Sequence, residues 1–240
     1  MGNMTQKRRR MTWIRGARCL VLLAGLLALG AAVAAGQQVL ARAVFDGDTL
    51  ALADGRHVRL AGIDCPELGR DGRPDQYYAA RARQRLEELA LGEPLALEPA
   101  PRPRDRFGRT LAVLRRQDGT SLNAALVREG LAFVYTVPGE WPELARELVA
   151  AQVEALDARR GFWARILTLP EAGRPWVGNA RSLRAFPAGS PEARSVAAKN
   201  RVALAGLEEV FRHGFCPARH VSPWPVERGG ARPAPAPRAP

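Results

Sequence analysis

Short apolar runs separated by tight turns fill residues 38–63. "VLARAV" leads into "DGDT", then "LALA", then a "DGR" turn, then "HVRLAGI". Asp-Gly between runs of alternating polarity is a strong hairpin signal, because the glycine tolerates the backbone that a tight turn requires. The pattern therefore predicts strands joined by hairpins. Residues 68–74 are polar and rich in Gly and Arg, which predicts an exposed loop. From 75 to 91 the period lengthens: Tyr78, Ala82, Leu86 and Leu89 share one stripe, predicting a helix with Asp75 as its N-cap.

"EPLALEPA" (93–100) predicts a strand closed by proline. "RTLAVLRRQDGTS" predicts another, with Leu111 and Val113 alternating and an Asp118-Gly119 turn behind them. Ser121 is placed to cap a short helix, "LNAALVREG", which stops at Gly130. Residues 141–160 predict a longer amphipathic helix with Leu144, Leu148, Val149, Val153 and Leu156 inward. Five strands, one helix inserted after the third and helices at the end describe a mainly β chain with α. The expected architecture is a five-stranded OB-fold barrel with three helices over residues 36–163, long enough to close its own core.

A C-terminal extension follows. Residues 164–190 show scattered Pro, Gly and Arg and little periodicity. Residues 191–213 predict one amphipathic helix with Val196, Leu204, Leu207 and Phe211 as its apolar positions, so 164–221 is expected to be partly helical. Residues 222–240 end in "RPAPAPRAP" and are expected to be extended and disordered.

The N-terminus changes the picture of charge. Residues 1–35 carry Lys7, Arg8, Arg9, Arg10, Arg15 and Arg18, no acid, and then an apolar run from 19 to 35 ending in Ala32, Val33 and Ala34. Basic, apolar and small-residue regions in that order predict a secretory signal peptide cleaved near Ala34 or Ala35. The alternative is a membrane anchor formed by residues 19–35, a run at the short end of the ~17–25 residues that span a bilayer. Cleavage is the preferred reading, giving a secreted or periplasmic monomer. The formal charge of +12 then loses its six leader cations. Residues 36–163 are close to neutral, and the remaining surplus sits in 164–240. Bulk charge alone does not mark the central region as a binder of nucleic acid. Cys65 and Cys216 remain after the leader and read as two lone cysteines.

Candidate chemistry lies in four pieces. "DGDT" supplies Asp46 and Asp48; "VRLAGIDCPE" supplies Arg59, Asp64 and Glu67; "RDRFGR" supplies Arg109; "LNAALVREGLA" supplies Asn123. Asp48 and Asp64 are hard oxygen donors suited to calcium or magnesium and poorly suited to zinc. His57, His213 and His220 are scattered, and no Ser-His-Asp or Cys-His arrangement stands out. A divalent ion, a spare carboxylate and two arginines are the parts for attack on a phosphodiester. The carboxylate draws a proton from water, and the planar guanidinium forks bind charge on the phosphoryl oxygens. Taken singly, each piece has an ordinary explanation: a hairpin turn, a salt bridge at a barrel mouth, a polar turn before a strand. Their joint order is what carries weight.

That order resembles the staphylococcal-nuclease-like (thermonuclease) family over residues 39–163, closing with "GFW". The resemblance implies an OB-fold barrel with three helices and a calcium-dependent phosphodiesterase that cuts DNA and RNA with low sequence specificity, leaving a 5′-hydroxyl and a 3′-phosphate. It also implies roles. Asp48 and Asp64 match calcium-binding carboxylates, Cys65 matches a backbone-carbonyl ligand, and Asp46 matches a supporting acid. Arg59 and Arg109 match phosphate-binding arginines, and Glu67 matches the general base. Cys65 stands where the prototype has threonine and Phe107 where it has tyrosine. The prototype's nucleotide-packing tyrosines fall near Tyr135 and Thr136. The competing readings are a non-catalytic OB-fold nucleic-acid-binding module of the cell envelope and an envelope interaction protein. Retention of Asp48, Arg59, Asp64, Glu67 and Arg109 argues against the first, and the Pro/Arg-rich end supports the second only weakly.

Overall fold

Strand β1 (Gln37–Asp46) turns its Val39 and Val44 side chains inward. It pairs antiparallel with β2 (Thr49–Leu52), which pairs antiparallel with β3 (His57–Leu60). Leu50, Leu52, Val58 and Leu60 of these strands are fully buried, as the alternation required. The computed structural model describes residues 36–221, 224 and 225. The expectations for 1–35 and for all of 222–240 but Trp224 and Pro225 therefore lie outside the described residues.

After the two-residue β4 (Ile63–Asp64) and a loop comes helix α1 (Ala79–Ala90), burying Ala79, Ala82, Leu86, Leu89 and Ala90. Strand β5 (Pro94–Arg104) runs antiparallel to β1, and β6 (Thr110–Arg115) lies antiparallel to β5 and parallel to β3. The barrel closes in the order β1-β2-β3-β6-β5. This is the five-stranded OB-type barrel the sequence predicts.

Asp75 is not the cap of α1. The helix starts four residues later, behind Tyr78 in a left-handed conformation (φ 72°), and Asp75 Oδ1 instead accepts the Gly69 N–H at 2.7 Å. Long-range bonds claim the residues before the helix. Gln76 exchanges bonds with Glu67, Tyr77 N–H donates to the Pro225 carbonyl at 2.8 Å, and Trp224 Nε1 donates back to the Tyr77 carbonyl at 3.2 Å.

Helix α2 (Leu122–Arg128) starts where Ser121 Oγ accepts the Ala124 N–H, and it ends at Gly130 (φ 67°). Both termini agree with the sequence reading. Gly130 is required twice over, since a Cβ there would stand 2.2 Å from the Arg160 carbonyl oxygen. Asn123 is fully buried and braces the barrel. Its Oδ1 accepts from Leu114 N–H at 3.2 Å, and its Nδ2 donates to the carbonyls of Ala61 at 2.8 Å and Ala112 at 3.3 Å. Asn123→Ala should therefore cost about 2–3 kcal/mol and lower the melting temperature by roughly 5–10 °C, because buried groups lose their partners. Thermal unfolding checks this; an unchanged midpoint would refute the bracing role.

Strand β7 (Phe133–Val134) pairs with β4, and α3 (Pro142–Asp157) follows, starting at a proline. Its buried face is Leu144, Leu148, Ala151, Gln152, Ala155 and Leu156, whereas Val149 and Val153 are only half-buried. Gln152 accepts from Val134 N–H and donates to the Phe211 carbonyl.

Beyond α4 (Trp163–Ile166) lies a sheet that periodicity did not show. Strands β8 (Trp176–Asn179) and β9 (Arg184–Pro187) form an antiparallel pair. The single helix expected over 191–213 is broken into α5 (Pro191–Ser195), a 3₁₀ turn (Ala198–Asn200), β10 (Arg201–Leu204) and α6 (Leu207–Arg212). Pairing of β10 with β8, Leu204 opposite Trp176, overrides the helical spacing, and extended Gly206 separates it from α6. Strand β11 (Cys216–Pro217) adds to β9 in parallel, giving the order β10-β8-β9-β11.

These elements close a second core around Phe162, Trp163 and Ile166, with Trp176, Leu207, Phe211 and Trp224. Ring centroids of Trp163 and Phe211, and of Phe162 and Trp224, lie 4.6 Å apart in edge-on contacts. Helix α3 serves both cores, Leu148 and Ala151 in the barrel's and Ala155 and Leu156 in the second. Among the described residues no helix is long and apolar enough to cross a membrane.

Candidate active site

The turn between β1 and β2 lies against α1 and against Cys65, just beyond β4. A Cβ on Gly47 would stand 2.7 Å from the Cβ atoms of both Ala82 and Cys65, so only glycine lets the turn settle there. Settled, it presents an aspartate on each side. Asp46 Oδ1 accepts the Asp48 N–H at 3.1 Å. Buried Asp48 accepts the Thr49 hydroxyl on Oδ1 at 3.1 Å and the Cys65 N–H on Oδ2 at 2.8 Å.

Arg59 projects from β3 into this cluster. One terminal nitrogen, Nη2, lies 3.0 Å from Asp48 Oδ2 and 2.6 Å from Asp64 Oδ1. The other, Nη1, donates to the carbonyls of Leu60 at 3.1 Å and Ile63 at 2.9 Å. Burial works against the Arg59 charge, but Asp48 and Asp64 outweigh it and hold the guanidinium above its ordinary pKa. The two aspartates share that cation, and Asp64 also has Arg219 at 3.8 Å. Burial pushes both carboxyls above the usual range, Asp48 furthest, with Arg59 opposing and the neighbouring carboxylates adding to the rise.

Arg109 reaches the same rim. Asp105 folds the turn before β6, accepting the N–H groups of Phe107 and Arg109 and, at 2.7 Å, the Arg109 Nε. Burial opposes the Asp105 charge, yet these bonds hold its carboxyl below the usual carboxylate range. Arg109 Nη1 then meets the Thr49 hydroxyl at 3.3 Å. Thr49 stands opposite Arg59 across β2 and β3, so Arg109, Thr49, Asp48, Arg59 and Asp64 form one unbroken chain of contacts. Arg109 also lines a cavity of about 310 Å³ with Arg56, His57, Arg104 and Phe107. Phe107 is 68% exposed, and the guanidinium groups of Arg106 and Arg109 lie over its ring at 4.7 and 5.5 Å from the centroid.

Glu67 follows the turn after β4, its backbone N–H on Gln76 Oε1 at 2.8 Å. Partial burial and the charges of Asp64 and Asp46 push its carboxyl above the usual range, against Arg59 and Arg219. Cys65 is buried and unbridged, as is Cys216. Burial and Asp48 push the Cys65 thiol well up, which excludes it as a ready nucleophile. Asn123, grouped with the charged residues by sequence, belongs to the barrel's bracing.

No group of three or more His, Cys, Asp or Glu side chains is spaced as a ready-made metal cage among the described residues. The donor chemistry nonetheless fits a hard divalent cation. Asp48 and Asp64 are hard oxygen donors held together by one guanidinium, in a cluster with more carboxylates than that cation balances. Sequence reasoning missed Thr49 and Asp105 as organisers, although both lie within the quoted motifs. It also missed Arg184 and Arg219, for which no local signal exists. Arg219 Nη2 lies 3.8 Å from Asp64 Oδ1, and the Arg184 guanidinium covers the Tyr135 ring at 3.6 Å from its centroid.

A closed OB-type barrel with two arginines and paired aspartates on one rim defines a class, and comparison with known proteins agrees. Residues 57–165 match the family described as staphylococcal nuclease homologue. The chain is 34% identical to the micrococcal nuclease of Shigella flexneri over 144 residues, which cover 55% of this chain and 75% of that protein. It is 34% identical to the thermonuclease of Staphylococcus intermedius over 134 residues, covering 54% and 78%. An uncharacterized endonuclease of Escherichia coli O157:H7 is 31% identical over 137 residues, covering 56% and 79%. The chain belongs to the staphylococcal nuclease family. The matched family segment ends before β8, so the second sheet lies outside it.

Proposed function

We propose that this chain is a nuclease that hydrolyses phosphodiester bonds of DNA and RNA with low sequence specificity, in a calcium-dependent reaction. Glu67 is the general base, and Arg59 and Arg109 stabilise the phosphoryl transition state. The observation that supports this reading best is the contact chain from Arg109 through Thr49 and Asp48 to Arg59 and Asp64. It sets two guanidinium forks and a carboxylate pair at one rim.

Asp48, Asp64 and the Cys65 backbone carbonyl would hold the calcium. When bound, calcium neutralises phosphate charge and polarises the phosphoryl oxygen. The remaining work belongs to the chain. Glu67 removes a proton from the attacking water, and its raised pKa makes it a stronger base than an ordinary glutamate. Arg109 keeps Nε on Asp105 and turns its terminal nitrogens to the phosphate. Arg59 brings a fixed charge to a site with little water, where a hydrogen bond to developing phosphoryl charge is worth most. Exposed Phe107 and the Arg106 guanidinium over its ring offer planar groups for a base to stack on, which tolerates any sequence. Secretion or delivery to the periplasm, and action as a monomer, complete the proposal.

The test compares release of acid-soluble nucleotides from single-stranded DNA in calcium, magnesium and chelator. Activity is expected in calcium and lost in chelator. Glu67→Gln should lower kcat by about 10²–10⁴-fold with KM nearly unchanged. Parent-level turnover by Glu67→Gln, or full activity in chelator, would overturn the mechanism.

A further inference from the structure

We propose that Arg184 and Arg219, supplied by the extension beyond the family's matched segment, form a second phosphate-binding pair for an adjacent nucleotide of a single-stranded substrate. This rests on the nuclease reading of the neighbouring rim and adds to it.

The placement comes from three separate parts of the chain. Strand β9 begins at Arg184 and β11 at Cys216, and these two residues are paired in the parallel register. Arg219 opens the short 3₁₀ turn Arg219–Val221 just after β11, so one arginine comes from β9 and the other from the turn that follows its strand neighbour. Tyr135 follows β7 and donates its N–H to the Gly62 carbonyl at 2.8 Å, which fixes its ring beside the turn leading to Asp64. Both guanidinium groups gather on that ring, Arg184 at 3.6 Å and Arg219 at 5.9 Å from the centroid.

Their bonding leaves them charged and available. Arg184 donates Nη1 to the Leu183 carbonyl at 3.3 Å and the Cys216 sulfur at 3.0 Å, and no carboxylate of the described residues pairs with it. The ring and these two bonds orient its fork without neutralising it, so little freedom remains to be lost on binding an anion. Arg219 is two-thirds exposed, and among the described residues its carboxylate contact is the loose 3.8 Å approach to Asp64. By contrast, Arg85, Arg115 and Arg212 on other surfaces each hold two carboxylates. Cations without close acidic partners, next to a rim already equipped for phosphate, suit the next phosphate of a polynucleotide and not a second copy of the scissile one. Arg184 also covers the Tyr135 face, so that ring serves as a platform for the arginine and is withdrawn from stacking on a base.

The experiment measures kcat and KM for Arg219→Ala, Arg219→Glu and Arg184→Lys on a 12-nucleotide single strand and on a mononucleotide p-nitrophenyl diester. Removing one phosphate contact is expected to raise KM for the 12-mer by about fivefold near 0.1 M salt, and to flatten log KM against log salt by about 0.7. The ratio of kcat/KM between the two substrates should fall by the same factor. Charge reversal in Arg219→Glu should exceed the alanine effect, and Arg184→Lys should keep part of the parent's preference for the longer strand. Equal losses on both substrates, or an unchanged ratio in every variant, would overturn the proposal. Binding of a fluorescent 12-mer to Glu67→Gln, with and without Arg219→Ala, reads the same contact without turnover. Weaker binding there supports the pair even if the proposed base proves wrong; unchanged binding removes the pair even if the base proves right.

Discussion

Arg59→Ala is expected to lose both activity and stability, with calcium restoring part of the second and none of the first. The Arg59 side chain is 11% exposed and is the shared counter-charge of Asp48 and Asp64. Removing one member of a buried ionic cluster typically costs about 3–5 kcal/mol, because the partners stay behind unpaired. In a chain of this size that is a drop of roughly 6–20 °C in melting temperature. A divalent ion on the two aspartates supplies a replacement charge, so the loss should be largest in chelator. The catalytic deficit has a different origin, a donor missing from the phosphoryl group, and should stay at about 10²–10³-fold in saturating calcium. Thermal unfolding with and without calcium, beside a single-stranded DNA assay, separates the two. A variant as stable as the parent in chelator would show that the aspartates do not depend on Arg59.

A chain ending at Leu169 is expected to be largely unfolded, although it contains the whole segment matched to the family. Such a chain loses Trp176, Leu207, Phe211 and Trp224, which cover Phe162, Trp163 and Ile166. Burial of each large apolar side chain is worth about 1.5–3 kcal/mol, so uncovering these three forfeits roughly 5–9 kcal/mol. Whole domains have only about 5–15 kcal/mol to lose. Gln152 would also lose the Phe211 carbonyl while remaining at the centre of α3. Urea unfolding of the truncated and full chains checks this. A truncated chain with a midpoint near that of the full one would mean that the barrel's core stands alone.

The barrel was legible because its signals are local. Asp-Gly turns, the Ser121 cap and the Gly130 stop each act over a few residues, and all survive in the structure. The strand expected over 109–115 also forms, but Ala112, Val113 and Leu114 are buried in succession and Leu111 is only half-buried, so its alternation does not hold. The candidate site was legible because its motifs come in a fixed order. The chain of contacts through Thr49 and Asp105 follows from pairing registers that no single motif carries. The second sheet stayed hidden because its strands have four residues or fewer, too short to display a period. The apolar positions Val196, Leu204, Leu207 and Phe211 do share a helical spacing. Leu204, Leu207 and Phe211 converge on the second core from a strand and a helix, whereas Val196 is buried just after the short helix α5. Asp75 failed as a cap because Gly69 claimed its carboxylate. Arg184 and Arg219 gave no signal, since their meeting at Tyr135 depends on contacts across some fifty to eighty positions of sequence.

The reciprocal bonds between Tyr77 and residues 224–225 fasten a stretch 147 positions further along the chain to the segment that carries Glu67. Synthesis proceeds from the N-terminal side. A ribosome must therefore synthesise past residue 225 before this clasp can shut, and a product terminated ahead of Trp224 would leave the Glu67 segment untied.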